Sequence, residues 1–322
     1  MTFTTGPTHD PEEALDALVI GGGPAGLTAA LYLARFGRRF ALVDEGDPRA
    51  AWIPTSHNIP FFAEGIGGAE ILGRARDHAG RYGAVPLRGS VTALTKEAGG
   101  FTAHVEAEGA PSHLRARRVL LATGAQDVEP DLPDLQGAIR RGLIRYCPIC
   151  DGYEARGRRI GVVGHGTRGL GEAVFIARTY SGDVTLMTLG KSLDLTEEDR
   201  RRIAEHRIRV VEEPVAALEI EGDRIAAVQA GGARHGFDVL YSALGLTLRS
   251  GLATALGAEH DDAGALIVDD HNQTTVPGLY AAGAIVRGLD QVVVAMGHAA
   301  VAATAIHNRC EIPTEDEPEN RT

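Results

Sequence analysis

A glycine-rich turn between two apolar runs constrains the fold of this chain more than any other feature. The turn occupies residues 21–26 and follows a buried-strand pattern at residues 15–20. Small and apolar residues at helical spacing come next, and then a second apolar run that ends on Asp44, 23 residues after Gly21. In dinucleotide-binding units this order lets bare backbone approach a pyrophosphate at a helix N-terminus, and the acid binds a ribose hydroxyl. The sequence therefore predicts a nucleotide-binding unit near the start of the chain.

The same pattern recurs in the middle of the chain. An apolar run at residues 159–163 leads into a second glycine turn at residues 164–169, followed by a predicted helix and a predicted strand. Another buried-strand pattern, further upstream, ends in Ala122-Thr123-Gly124, whose small side chains let backbone pass close to a nucleotide. Two nucleotide-binding-like units form a coarse internal repeat, which predicts an α/β fold.

A CxxC motif, Cys147 and Cys150 with Asp151 beside it, can cycle between dithiol and disulfide. Pro148 suits the first turn of a helix, and a helix start lowers the pKa of a thiol placed there. The alternative is half of a zinc site, but zinc needs four ligands. Only Cys310 remains, with histidines at no regular spacing, so the motif favours redox chemistry, no metal is expected and Cys310 receives no role.

Length, charge and cysteine content narrow the functional classes. The 322 residues suffice for two domains, and a net charge of −11 argues against a nucleic-acid partner. No apolar run approaches the roughly 20 residues that span a bilayer, so no membrane partner is expected. Three cysteines without a scaffold pattern, and a polar N-terminus without an apolar signal core, indicate a cytoplasmic protein.

These motifs, with the segment VPGLYAAG at residues 276–283, resemble the low-molecular-weight thioredoxin reductase family of flavoproteins in order and spacing. The resemblance implies an α/β fold of two Rossmann-like nucleotide-binding domains (three-layer ββα), one inserted into the other. Residues 1–117 plus 248–322 would form the FAD-binding domain. Residues 118–247 would form an NAD(P)H-binding-like domain that carries the CxxC pair. FAD is the implied cofactor, and the implied state is a homodimer.

The resemblance also implies roles for individual residues. The expected FAD-binding residues are Gly21, Gly23, Pro24, Ala25 and Gly26 at the pyrophosphate, Asp44 at the ribose, Ala122, Thr123, Gly124 and Gly283 along the nucleotide, and Asn58 and Gln291 beside the flavin. The second turn, with Gly164, Gly166 and Gly169, would take NADPH or NADH. Cys147 is the expected interchange thiol, Cys150 the thiol that meets the flavin, and Asp151 the acid/base. The implied substrate is a thioredoxin-like protein or a small-molecule disulfide or dithiol.

Two departures from the family concern the cofactors. The position 23 residues after Gly164 is Met187, where the reductases carry a basic cluster for NADPH and an NAD enzyme would carry an acid. Ala284 stands where the family usually has an aspartate on the ribityl chain of FAD. Losing that charged hydrogen bond would weaken FAD binding by about 1.5–3 kcal/mol.

A third departure leaves the direction of electron flow open. The residues around the CxxC also resemble dithiol oxidases, which pass electrons from a substrate dithiol through FAD to oxygen. Those enzymes tend to carry a histidine after the second cysteine, whereas Asp151 is typical of the reductases. The sequence favours a reductase and leaves a dithiol oxidase and a ferredoxin-linked reductase as alternatives. A non-enzymatic flavin sensor is disfavoured by the intact CxxC-Asp motif.

Overall fold

The computed structural model describes residues 14–107, 113–130, 135–222 and 224–313. The polar N-terminus, which is expected to contain no signal segment, lies outside these ranges. The described residues divide into two compact units. Unit 1 comprises Met1–Ala51, Ala69–Gln126 and Leu248–Thr322, and unit 2 comprises Trp52–Gly68 and Asp127–Thr247, as far as these segments are described.

The described strands and helices alternate along much of the chain, as expected for an α/β fold. In chain order the strands are β1 (Leu15–Ile20), β2 (Phe40–Asp44), β3 (Leu87–Arg88), β4 (Ser90–Glu97), β5 (Gly100–Glu106), β6 (His113–Leu121), β7 (Ala125–Asp127), β8 (Ile144–Arg145), β9 (Ile160–Val163), β10 (Val184–Met187), β11 (Arg209–Val211), β12 (Val215–Glu221), β13 (Arg224–Ala230), β14 (Ala233–His235), β15 (Val239–Ser242), β16 (Leu246–Leu248) and β17 (Leu279–Ala281). The helices are α1 (Pro24–Arg35), α2 (Gly68–Gly80), α3 (Leu135–Arg140), α4 (Pro148–Asp151), α5 (Gly166–Thr179), α6 (Glu197–Glu205), α7 (Gly251–Thr254) and α8 (Val292–Arg309). Short 3₁₀ turns occur at Arg49–Trp52 and Tyr153–Ala155.

Unit 1 is built on a seven-stranded sheet with the order β3-β2-β1-β6-β5-β4, and β17 also pairs with β6. Strand β1 runs parallel to β2 and β6, whereas β4, β5 and β6 are antiparallel neighbours. The paired ends of β1 and β6, residues 17–20 and 119–121, are buried and apolar, as expected for parallel strands covered on both faces. Helix α1 packs against α8 in the same unit. The carboxyl end of β1 therefore leads directly into the first glycine turn.

Unit 2 contains a five-stranded sheet with the order β11-β10-β9-β15-β8, in which each described pair is parallel. Strands β12, β13 and β14 form a separate antiparallel sheet. The two sheets of unit 2 share one hydrophobic core. Met187 and Leu240 of the parallel sheet belong to it, and so do Leu218 and Val228 of the antiparallel sheet. The carboxyl end of β9 leads into the second glycine turn, as the carboxyl end of β1 does in unit 1.

The predicted fold class is confirmed, and the compact units differ from the predicted domain bounds in two places. Residues 118–126 belong to unit 1 because the end of β6 pairs with β1 and β17. Residues 52–68 belong to unit 2. Thr196 and Asp199 form a reciprocal capping box at the start of α6. Among the described helices, none has both the length and the apolar character that a membrane crossing requires.

The close packing of α1 on β1 generates a prediction about Gly26. A Cβ atom at this position would lie 1.7 Å from the Gly21 carbonyl oxygen, so Gly26→Ala forces two backbone segments apart. We expect this substitution to destabilise the protein by about 1–3 kcal/mol or more, which lowers the midpoint of urea denaturation followed by circular dichroism.

The matched control is Gly73→Ala in α2, where a new Cβ would meet no atom within 4 Å. That change should leave stability unaltered or raise it by up to about 1 kcal/mol, since alanine is the better helix former. Equal stability of the two variants would contradict the proposed role of the contact.

Candidate functional site

The two cysteines of the CxxC motif form a disulfide at the start of α4, with their Cα atoms 5.3 Å apart. Cys147 is the N-cap residue in an extended conformation, and Pro148 occupies the first helical position. Proline fits there because its missing N–H would have no intrahelical acceptor. The predicted helix start is thus present, but α4 has only four residues. Its dipole is therefore a weak source of thiolate stabilisation.

Asp151 lies at the end of α4, and its carboxyl group is held from two sides. The Tyr241 hydroxyl donates a hydrogen bond of 2.8 Å to Oδ1. Arg145 Nη1 lies 3.6 Å from Oδ2, and the two side chains are only 15% and 14% exposed for Arg145 and Asp151. Burial raises the pKa of Asp151 above its ordinary value, while Arg145 and Tyr241 partly oppose that shift. The carboxyl group is therefore a better proton acceptor than an exposed aspartate.

The parallel sheet of unit 2 positions both partners of Asp151. Arg145 on β8 and Tyr241 on β15 are direct neighbours in the strand register. Arg145 also donates to the backbone oxygens of Asp151 (2.9 Å) and Gly142 (3.0 Å), which fixes the guanidinium group. Burial and the negative charge of Asp151 raise the pKa of Tyr241, so its hydroxyl stays protonated and acts as a donor. Sequence reasoning missed both residues, and the only signal was a tyrosine within an apolar strand.

The loop at residues 52–68 contacts the dithiol turn within unit 2. The backbone N–H of His57 donates to the Cys150 carbonyl oxygen at 3.3 Å, and Asn58 Nδ2 donates to the Ile149 carbonyl oxygen at 3.3 Å. The His57 ring lies 3.8 Å from the carboxylate of Glu154. Asn58, predicted to lie beside the flavin, is therefore placed against the CxxC turn.

The first glycine turn, in unit 1, is packed backbone against backbone. Gly21 has a φ of 105°, and a Cβ there would lie 2.4 Å from the Ala122 carbonyl oxygen. The N–H of Gly22 donates to Asp44 Oδ1 at 2.9 Å, so the acid at the end of β2 also fixes the turn. Gly23 is the N-cap of the 12-residue helix α1 and supplies no side-chain cap. The first N–H groups of α1 therefore remain available to an anion, and this arrangement fits the pyrophosphate of FAD.

Ala122, Thr123, Gly124, Gly283 and Gln291, which are also expected at FAD, lie in the same unit as this turn. Ala122 lies beside Gly21, and a Cβ at Gly283 would lie 3.3 Å from that of Ala25 and 3.6 Å from that of Ala295 in the first turn of α8. Gln291 is the N-cap residue of α8. The Thr123 hydroxyl donates to the Arg249 carbonyl oxygen at 2.6 Å.

The second glycine turn, in unit 2, repeats the packing of the first. A Cβ at Gly169 would lie 2.5 Å from the carbonyl carbon of Gly164, and Gly166 has a φ of 61°. Strand β10, the next strand along the chain, ends without a charged residue that could bind the ribose of a nucleotide. Met187 at the end of β10 and Thr188 after it are fully buried, whereas Lys191 is exposed. The turn suits a phosphate, but the residues after β10 offer no charged group at the expected ribose position.

The third cysteine does not join the dithiol. Cys310 is buried in unit 1, and its pKa is raised by burial. Within the described ranges there is no group of three or more His, Cys, Asp or Glu side chains that could hold a metal ion. A zinc site built on the CxxC would need two further ligands, and none of the described side chains forms such a set with it.

A model of the pyridine nucleotide-disulphide oxidoreductase family matches residues 15–299 of the chain. An alkyl hydroperoxide reductase component of Xanthomonas campestris pv. phaseoli is 30% identical over 308 residues, which cover 91% of this chain and 56% of that protein. A second curated relative, NADH dehydrogenase from Bacillus subtilis (strain 168), is 28% identical, and 58% of its length is covered. The chain thus spans little more than half the length of the curated relatives it matches.

Solved structures resemble the chain over most of its length. HlmI has a TM-score of 0.83 and is 33% identical, and the alignment covers 96% of each chain. Thioredoxin reductase from Streptococcus pyogenes MGAS5005 also has a TM-score of 0.83, with 26% identity over 92% of this chain and 98% of that one. The likeness therefore extends to both units.

The hydrogen bond from Tyr241 to Asp151 generates a prediction about proton affinity. In Tyr241→Phe the carboxylate loses a donor that stabilises its charged form, so the pKa of Asp151 should rise further. A hydrogen bond to a charged group is worth about 1.5–3 kcal/mol, which corresponds to about one to two pH units. Carboxyl ¹³C NMR of aspartate-labelled, disulfide-containing protein across a pH titration measures this shift.

Tyr280→Phe in unit 1 is the matched control, since it removes another fully buried tyrosine hydroxyl, one that accepts from Arg309 at 3.2 Å. This variant should leave the Asp151 titration unchanged. An Asp151 pKa that stays constant or falls in Tyr241→Phe would show that the hydroxyl does not stabilise the carboxylate.

Proposed function

The chain belongs to the pyridine nucleotide-disulphide oxidoreductase family, and we propose that it exchanges electrons with a disulfide substrate through Cys147 and Cys150. Relatives of this class use FAD with a nicotinamide nucleotide, and FAD is the cofactor that the first glycine turn fits. Bound FAD supplies a two-electron carrier for the protein dithiol. The observation that carries the proposal is the buried carboxyl group of Asp151 immediately after the second cysteine.

The protein dithiol would reduce a substrate disulfide in two exchange steps. The Cys147 thiolate attacks one sulfur of the substrate disulfide, a mixed disulfide forms, and the other substrate sulfur leaves as a thiolate. The Cys150 thiolate then attacks the Cys147 sulfur, which restores the protein disulfide and releases the second substrate thiolate. The two protons lost by the cysteines equal the two gained by the products. Asp151, with its raised pKa, is suited to accept and return these protons.

The proposed FAD contacts follow from the geometry of unit 1. The pyrophosphate would lie beside Gly21, Gly23, Pro24, Ala25 and Gly26 at the N-terminus of α1, where no side chain caps the first N–H groups of the helix. Asp44 would hold the ribose with the carboxylate whose Oδ1 already accepts from Gly22.

Most of the remaining proposed contacts lie on neighbouring segments of the same unit. Ala122, Thr123, Gly124 and Gly283 would line the nucleotide, and Gln291 would lie near the flavin at the start of α8. Asn58 would lie beside the flavin and at the same time contact the dithiol turn, where its amide bonds the Ile149 carbonyl oxygen.

A second candidate is a dithiol oxidase that passes electrons from a substrate dithiol through FAD to oxygen. The observation that favours it is the end of β10, where Met187 and Thr188 are buried and no charged group replaces them. A ferredoxin-linked reductase would suit the same observation. In both alternatives the turn with Gly164, Gly166 and Gly169 is retained for packing rather than for NADPH or NADH.

The proposed substrate is a thioredoxin-like protein or a small-molecule disulfide or dithiol. A homodimer and a cytoplasmic location belong to the same proposal, and the sparse cysteine content supports the location. The resemblance to thioredoxin reductases over more than nine-tenths of the chain supports the choice of substrate class.

Anaerobic titration of the purified, FAD-loaded protein distinguishes the candidates. We expect flavin absorbance to be lost on addition of NADPH or NADH if the protein is a nicotinamide-dependent reductase. Loss of absorbance only with dithiothreitol, followed by peroxide formation when air is admitted, would assign the oxidase instead. A flavin that neither nicotinamide nucleotides nor dithiols reduce would remove the proposed function altogether.

A further inference from the structure

A closed lobe projects from the dithiol turn in unit 2. Its ends meet at Ser56 and Ile66, whose backbones exchange hydrogen bonds of 2.9 and 3.0 Å. The base of the lobe is tied to the CxxC turn through the hydrogen bonds of His57 and Asn58. The lobe, residues 56–66, is therefore a fixed extension of the surface that contains the disulfide.

The tip of the lobe exposes an aromatic side chain in an unfavourable backbone conformation. Phe61 has a φ of 77°, a region that bulky residues rarely enter, and its side chain is fully exposed at 101%. Glycine would adopt this φ without strain, and a polar residue would be solvated better. Phe61 therefore satisfies neither backbone nor burial preferences, which is typical of a residue kept for contact with another molecule.

Apolar side chains are also exposed within the dithiol turn and just after it. Ile149, between the two cysteines, is 44% exposed, and Tyr153 after α4 is 66% exposed. Within residues 57–67, Glu64 is the sole Asp, Glu, Lys or Arg, in a protein with a net charge of −11. The Arg156 guanidinium lies over the Tyr153 ring at 5.0 Å, and the Glu154 carboxylate lies 3.8 Å from the His57 ring, so charged groups border these apolar side chains.

We propose that the lobe is the docking surface for a protein that presents the exchanged disulfide, with Phe61 as the anchor. This proposal rests on the proposed function. Small-molecule sites are concave, whereas a fully exposed side chain at the tip of a lobe is convex. A convex aromatic group needs a concave apolar pocket on its partner, and aromatic side chains in such pockets are frequent binding hot spots. The partner is therefore a protein with an apolar depression beside its disulfide.

A single-turnover experiment tests the docking role without a nicotinamide donor. The FAD-loaded full-length protein is reduced anaerobically with dithionite and mixed with increasing concentrations of an oxidised thioredoxin or of Ellman's reagent. Recovery of flavin absorbance reports electron transfer to the disulfide. Phe61→Gly should raise the thioredoxin concentration needed for half-maximal rate by about tenfold or more, because the anchor is lost. Its rate with Ellman's reagent should not change.

Two control variants accompany Phe61→Gly. Phe61→Tyr keeps the ring and should behave like the wild type with both disulfides. Val85→Ser removes another exposed apolar side chain, 76% exposed in unit 1, and should also leave both reactions unchanged. Because glycine tolerates the positive φ, Phe61→Gly should fold at least as well as the wild type.

Other outcomes overturn the docking role and separate it from the proposed function. An unchanged thioredoxin dependence in Phe61→Gly, or an equal loss with Ellman's reagent, would overturn it. Dissociation of an oligomer in Phe61→Gly, seen by size-exclusion chromatography with light scattering, would assign the lobe to contacts between copies of the chain. Wild-type reaction with Ellman's reagent but not with thioredoxin would refute protein docking and leave the proposed function standing. No reaction with either disulfide would refute the proposed function itself.

Discussion

Direct backbone contact between the end of a strand and the helix that follows it is the constraint on which both units depend. In unit 1, Gly26 lies against the Gly21 carbonyl, and in unit 2 Gly169 lies against Gly164. A side chain at Gly26 or Gly169 would push the helix away from the strand before it. The same contact leaves the helix N-terminus uncovered, which makes each turn suitable for a phosphate group. One packing solution therefore accounts for the repeated architecture and for the nucleotide chemistry that it permits.

The dithiol turn contains a different arrangement, in which the sheet of unit 2 holds the carboxyl group of Asp151, the residue after Cys150. Because β8 and β15 pair in register, Arg145 and Tyr241 meet Asp151 together. Burial alone would favour the neutral acid, and the two donors keep the charged form accessible. Such a balance suits a group that must both take up and release a proton. The rigid strands below it, rather than the four-residue helix α4, supply the order at this site.

Local patterns predicted much of the fold and part of the site, because glycine turns, apolar runs and helix caps are short-range features. The nucleotide-binding unit from Gly21 to Asp44 and the helix start at Pro148 both follow from residues close together in the chain. Contacts between segments that are far apart in the chain could not be predicted from such local patterns. Tyr241 reaches Asp151 across 90 positions, and Asn58 reaches Ile149 across 91.

Two further features have no local signal. The apolar pattern around residue 118 does not reveal that β6 pairs with β1, which is the contact that assigns residues 118–126 to unit 1. The backbone strain at Phe61 leaves no mark in the sequence either, since any residue can occupy a loop. The strand pairing depends on the position of a distant segment, and the strain at Phe61 depends on an irregular backbone conformation. The periodicity of side chains along the sequence reports neither of these.

The central claim is that Cys147 and Cys150 form the exchange centre, with Cys147 as the thiol that attacks the substrate. Mass spectrometry of a Cys150→Ser protein treated with one equivalent of Ellman's reagent tests it directly. The expected result is a single mixed disulfide on Cys147, since the second exchange step has lost its thiol and Cys310 is buried. Modification at Cys310 in place of Cys147, or an unmodified Cys147 under conditions where the wild-type dithiol reacts, would contradict the account.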